Sequence, residues 1–333
     1  MNKILFTVTI LLALVSPALA GDQCAECHEE RIGEIRAKKV IHSAIEDDAC
    51  EDCHESHGDD ERLVLVEEGS ALCLQCHDDP AEGEVVHEAV TDGDCIDCHD
   101  PHSSDKASLL VDAMPELCLQ CHDDPTEGKV VHEAVSDGSC TDCHNPHSSD
   151  QGALLTEGMP DLCSQCHDVP DEMNSLTHTA LSDGECTDCH DPHSTEFSKL
   201  LIDKYETTRF PGGFSEEMYP LCFQCHESSL VTGGPEDTNF SNGSKNLHNV
   251  HVMGALKPNR YGITKRGKAR SCSICHSPHG TTQPFSLISK YVHKGIIFLT
   301  MTYTPSEDGG NCTVGCHKPQ DYNRTAPDPR QGG

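Results

Sequence analysis

Cysteine and histidine are the residues here whose types and spacing could do chemistry. All 22 cysteines fall in eleven clusters, each followed directly by histidine. Ten have the form Cys-x-x-Cys-His: Cys24, Cys27 and His28; Cys50, Cys53 and His54; Cys73, Cys76 and His77; Cys95, Cys98 and His99; Cys118, Cys121 and His122; Cys140, Cys143 and His144; Cys163, Cys166 and His167; Cys186, Cys189 and His190; Cys222, Cys225 and His226; and Cys272, Cys275 and His276. The eleventh, Cys312, Cys316 and His317, has one residue more between its cysteines. Two thiols at this spacing can add across the two vinyl groups on one edge of a porphyrin. The next histidine is then held against one face of the iron. Zinc would not require a histidine after every second cysteine, and a disulfide framework explains none of the histidines. The pattern therefore predicts eleven haem c groups, with a local disulfide as the alternative at Cys312 and Cys316.

Of 23 histidines, the twelve outside the motifs are His42, His57, His87, His102, His132, His147, His178, His193, His248, His251, His279 and His293. Eleven irons ligated by histidine on both faces would need eleven of them, so this set supplies the distal ligands with one to spare, His248 or His251. Five of the twelve (His57, His102, His147, His193 and His279) lie three residues after a motif histidine, four of them across a proline. That spacing is too short to reach the opposite face of the same porphyrin, and proline stops the chain continuing as helix. Each is therefore expected to ligate a neighbouring haem. Methionine is the rival ligand type. Met114, Met159 and Met218 each precede a haem cysteine by four residues and read as packing, while Met253 and Met301 are weaker candidates.

These residues recur with a period. Cys73, Cys118 and Cys163 are 45 residues apart, and Cys50, Cys95, Cys140 and Cys186 follow at 45, 45 and 46. Each unit has a first motif, a histidine, a second motif and the histidine three residues beyond. Such an array places each unit against its neighbours. The expected fold is a mostly irregular, short-helical multihaem cytochrome, an elongated quasi-linear array of two-haem repeats with few strands. Helical turns are expected at the motifs and at Val85–Val90, with turns at Asp92-Gly93, Asp137-Gly138 and Asp183-Gly184. Asp78-Asp79-Pro80 and Asp123-Asp124-Pro125 read as turn formers rather than calcium ligands. Gly295–Tyr303 carries the one convincing strand pattern. Residues 21–205 form four repeats, and 206–333 a divergent three-haem region with a long insertion.

The composition fits this plan. Only 35% of the 333 residues are hydrophobic and 4% aromatic. Ordering each residue costs roughly 1–2 kcal/mol, so porphyrin must supply most of the buried surface. A formal net charge of −33 argues against nucleic acid as a partner. Residues 1–20 read as a secretory signal peptide, with Lys3, the apolar run Ile4–Val15 and Ala18-Leu19-Ala20 before Gly21. No later stretch is apolar enough to span a membrane. From 238 to 306 there are nine lysines and arginines and no acid. This basic segment is suited either to haem propionates and the chain's own acidic repeats or to an acidic partner.

The alternating Leu-Cys-x-Gln-Cys-His and Asp-Cys-His-x-Pro-His motifs resemble the doubled Cys-x-x-Cys-His multihaem cytochromes over nearly the whole mature chain. Size and haem density are similar to the periplasmic decahaem cytochromes that insert into outer-membrane porins. Polymerising extracellular cytochromes share the same building blocks. The resemblance implies a periplasmic, outer-membrane-associated or extracellular electron carrier, with redox proteins, a porin or other multihaem cytochromes as partners. Self-assembly into a filament is the alternative. A multihaem reductase is the less favoured enzyme reading, since all eleven motifs end in histidine and distal candidates are not short.

Overall fold

The computed structural model describes residues 20–56, 64–168, 178–182, 186–258, 264–293 and 295–325. The expected signal peptide up to Leu19, His57 and the expected Asp183-Gly184 turn lie outside that set. Described helices are short: Ala20–Cys27 and Glu29–Arg36 have eight residues, the others four or five. None is long and apolar enough to cross a membrane. The chain's contacts gather residues 1–123 and 138–156 into one compact unit, and 124–137 and 157–333 into another.

The repeats are laced together by paired segments that the expectation of few strands did not include. Six two-residue strands occur there: β1 (Val40–Ile41), β2 (Val85–Val86), β3 (Ser103–Ser104), β4 (Val130–Val131), β5 (Ser148–Ser149) and β6 (Ser194–Thr195). In the first unit β1 pairs antiparallel with β3 and β2 with β5, and in the second β4 pairs with β6. Every pairing joins one repeat to the next. The helical turn expected over Val85–Val90 therefore begins only at Glu88, because Val85 and Val86 are bound to Ser149 and Ser148. The hydroxyls after each proline-histidine do local work as well. Ser104 Oγ donates to Leu110 O (2.5 Å) and accepts from Lys106 N (3.0 Å). Ser149 and Thr195 repeat both contacts.

Glycine is required where two repeats meet. A Cβ on Gly83 would lie 2.6–2.8 Å from three backbone atoms of Ser149, and one on Gly128 only 2.4 Å from Thr195 N. Gly93 and Gly138 close the Asp-Gly turns with positive φ of 80° and 74°. Asp79 and Asp124 do serve as turn formers, accepting from the amides of Ala81 (2.9 Å) and Thr126 (2.8 Å).

Among the described residues, buried apolar side chains concentrate after residue 205. Tyr219, Val231 and Ile274 are at most 2% exposed, whereas Ile35 is the one buried large apolar residue before them. Two small hairpins precede the main sheet: β7 (Ser241–Asn242) with β8 (Lys245–Asn246), and β9 (Leu256–Pro258) with β10 (Thr264–Arg266). The chain then builds β11 (Lys290–His293), β12 (Ile296–Ser306), β13 (Gly309–Val314) and β14 (His317–Asn323) as one antiparallel meander. It covers the strand expected at 295–303. Leu299, Met301, Tyr303 and Tyr322 are buried in this sheet, and the Tyr303 and Tyr322 hydroxyls meet at 2.7 Å.

Candidate functional site

All ten Cys-x-x-Cys-His motifs close the same turn, with the histidine N–H donating to the carbonyl of the first cysteine at 2.9–3.1 Å. That turn brings both thiols and the ring to one side of a short helical segment. After second motifs the chain leaves at once: His99 and His144 take φ/ψ near −117°/137°. The next residue then forms a side-chain turn, as where the amides of His102, His147 and His193 donate to Asp100, Asn145 and Asp191 at 2.8–3.0 Å. None of the 22 cysteines is in a disulfide.

Within each unit, several neighbouring motifs meet in chain order. Within repeats, the first cysteines of the two motifs meet, as Cys24 with Cys50, Cys73 with Cys95 and Cys118 with Cys140. Between repeats, Cys53 lies by Cys76, Cys98 by Cys121 and Cys189 by Cys225. Cys222 and Cys272 are neighbours, and Cys275 adjoins Cys312 and Cys316. Burial raises the Cys222 and Cys275 thiols to about 12 and Cys272 to about 11, and it raises Cys50, Cys53, Cys73, Cys98, Cys118, Cys189 and Cys312 as well.

Each motif imidazole that is part of a described pair faces one imidazole from elsewhere in the chain. First-motif rings face upstream residues: His77 and His42 (5.9 Å between ring centres), His122 and His87 (5.9 Å), His167 and His132 (5.8 Å), His226 and His178 (6.0 Å). Second-motif rings face downstream ones: His54 and His102 (6.0 Å), His99 and His147 (6.1 Å), His190 and His279 (6.0 Å). The last second motif has no repeat after it, and His276 turns instead to His248 in the insertion (6.3 Å). A metal bound by two imidazoles at about 2.0–2.1 Å, with roughly 1.1 Å from nitrogen to ring centre, puts the centres ~6.3 Å apart. The gaps are the width of one ligated iron.

Hydrogen bonds fix these rings. Nδ1 of His99, His144, His190 and His276 donates to the carbonyl nine residues on, in Ser108, Ala153, Lys199 and Phe285, at 2.8–3.0 Å. Those four residues sit at positive φ, 54–63°, a conformation non-glycine residues seldom adopt. A proton on Nδ1 leaves the Nε2 lone pair free for a metal. The upstream partners differ. His42, His87 and His132 cap short helices, with Nδ1 accepting from Ala44, Ala89 and Ala134 at 3.2–3.3 Å. In the neutral ring the proton then resides on Nε2, so ligation there displaces it or breaks the cap. Burial lowers His102, His147, His178 and His279, and His248 to about 4, so all five are neutral near pH 7.

Other predicted residues have different surroundings. His251 faces Phe240 (5.5 Å), donates from Nδ1 to Leu247 O (2.7 Å) and lies within electrostatic reach of His317. The eleventh motif lacks the helical turn: Cys312 lies in β13, and His317 begins β14 opposite Val314. His293 lies in β11, with its side chain outside the described set. Met301 is buried in the sheet. Reading by residue type missed the carbonyls behind the second-motif histidines, Thr238 beside His248 Nδ1 (2.7 Å), and Tyr219. The Tyr219 hydroxyl is buried with no partner among the described residues and lies close to Cys272. Cysteine pairs at motif spacing, ring gaps of one iron's width and a buried hydroxyl beside a motif cysteine all fit covalent haem. The recurring Leu-Leu ten and eleven residues after His99, His144 and His190 was the available signal for the carbonyls.

A doubled CXXCH motif matches residues 42–82, 87–127, 132–172 and 178–230, more than half of the chain. The chain belongs to the doubled-CXXCH family. It is a multihaem c-type cytochrome that binds several haem groups covalently and serves electron transfer. No curated protein matches it. The doubled-CXXCH unit is phased differently from the repeat drawn by first motifs, since each match begins at the upstream histidine. In that phase the pairs His42–His77, His87–His122, His132–His167 and His178–His226 close within a unit, while second-motif pairs join consecutive units.

Proposed function

We propose that this chain is an exported undecahaem cytochrome that conducts electrons along a row of bis-histidine haems, in extracellular or respiratory transfer across the periplasm and outer membrane. The facing imidazole pairs carry this reading, because iron held between two such rings has no position left for a substrate. When bound, each haem supplies a one-electron couple. The chain's own part is to fix the rings and to keep successive motifs in contact. The two cysteines of each motif would hold the haem covalently, and the motif histidine and the ring that faces it would ligate its iron. Acidic side chains around the repeats favour the ferric state and steer cationic or basic redox partners.

Intact-mass spectrometry of protein from an expression host that matures c-type haem tests the count. The expected species starts at Gly21 and carries eleven haems. Ten haems with Cys312 and Cys316 oxidised would assign the eleventh motif to a disulfide. A high-spin ferric signal in the electron paramagnetic resonance spectrum of unmutated protein would overturn the bis-histidine assignment.

A further inference from the structure

The facing rings fall into two classes. First-motif pairs are steeply crossed, with interplanar angles of 71°, 73°, 74° and 58°. Second-motif pairs are closer to parallel, at 7°, 25°, 16° and 31°. The class changes from motif to motif along the chain, so it follows the local fold and not the residue type. The hydrogen bonds change with it. The second-motif rings of His99, His144, His190 and His276 are pinned by a carbonyl, whereas His77, His122, His167 and His226 make no Nδ1 hydrogen bond among the described residues.

We infer that the two motifs of each repeat create electronically different iron sites, and that Ser108, Ala153, Lys199 and Phe285 are positioning residues that set the second kind. The inference rests on the bis-histidine reading. Parallel imidazoles donate into the same iron dπ orbital and split the dπ set widely. Crossed imidazoles donate into different orbitals and leave the pair nearly degenerate. A wide split raises the half-filled orbital and makes the ferric state easier to form. Donation from Nδ1–H to a carbonyl makes the proximal ring more basic and acts in the same direction. Second-motif sites are therefore the lower-potential set, and potentials alternate down the row. The pinning carbonyl faces its histidine because its residue holds a left-handed backbone, which an unbranched residue tolerates better than a β-branched one.

The test is continuous-wave electron paramagnetic resonance of the fully ferric holoprotein at liquid-helium temperature. Two low-spin families are expected: one with three resolved g values, the other with a single steep low-field feature. Ser108 and Lys199 are exposed, so substitution there alters backbone preference without removing packing. Ser108→Val is expected to release His99 and remove one centre's intensity from the resolved family. Lys199→Val does the same through His190. Ser108→Gly keeps the left-handed turn and the unmutated spectrum. In spectroelectrochemistry, each valine variant moves one low-potential centre upward. A purely low-spin spectrum of one family overturns this inference and leaves the bis-histidine row intact. Valine variants indistinguishable from Ser108→Gly overturn the positioning role.

Discussion

Substituting Gly128 by alanine tests whether the repeats are held together where two backbones touch. The added Cβ would stand 2.4 Å from Thr195 N, 2.8 Å from Thr195 O and 2.9 Å from Ser194 C, all main-chain atoms. Carbon contacts settle near ~3.5 Å, so β4 and β6 must separate by about 1 Å. That takes the Gly128 N–Ser194 Oγ bond (3.1 Å) and the His132 N–His193 O bond (2.9 Å) out of range, together with ladder bonding between the strands. Three such bonds at about 1 kcal/mol each amount to ~3 kcal/mol. Local opening should rise about a hundredfold. Amide hydrogen exchange with mass spectrometry reads this directly in peptides carrying residues 130–132 and 194–195. Gly152→Ala is the control, since nothing lies within 4 Å of its added Cβ and its φ is ordinary. Equal exchange in the two variants would refute the argument from close approach.

Replacing His147 by alanine leaves His99 facing no ring, and one high-spin ferric centre per chain should appear, with one equivalent of carbon monoxide bound on reduction. Ser104→Ala leaves the Leu110 carbonyl and the Lys106 amide unpaired at a position only 7% exposed, so a loss of about 2 kcal/mol is expected in the urea midpoint. Burial pushes the Tyr205 phenol from 10.0 up to about 12, and burial also raises Tyr219 and Tyr322. A folded-state value above the unfolded one contributes stability that is complete below pH 10 and lost as pH climbs through 12. Alkaline unfolding followed by circular dichroism should fall in that window, and Tyr205→Phe should flatten its onset.

Much of the site's inventory was open to reading, because thiol addition and iron ligation demand fixed residue types at fixed spacing. The pairing of rings was not. His54 and His102 stand 48 residues apart, and nothing local to either chooses the other; the choice is made by Val40 and Ile41 lying along Ser104 and Ser103. Dipeptides such as Val85-Val86 carry too little pattern to announce a strand, and their partners are serines. The left-handed residues were hidden for a similar reason. Serine, alanine, lysine and phenylalanine share no preference for that conformation, so tertiary context imposes it. The C-terminal sheet was visible only in its long apolar strand, since β13 and β14 are polar and take their register from it.

The direction in which each ring looks has a bearing on how the molecule is made. A chain emerging N-terminus first has the ring that faces His77, His122, His167 or His226 already in hand: His42 precedes His77 by 35 residues. A second-motif histidine must wait, His54 for 48 residues and His190 for 89. Maturation thus proceeds like a zip whose newest tooth stays open until the following repeat arrives. Any chain cut short within the repeats would leave its last second-motif site exposed to stray ligands. His276 ends the sequence of waiting, because His248 has already been synthesised when it appears. The insertion that looks like an interruption of the repeat supplies the ring that the last second motif faces.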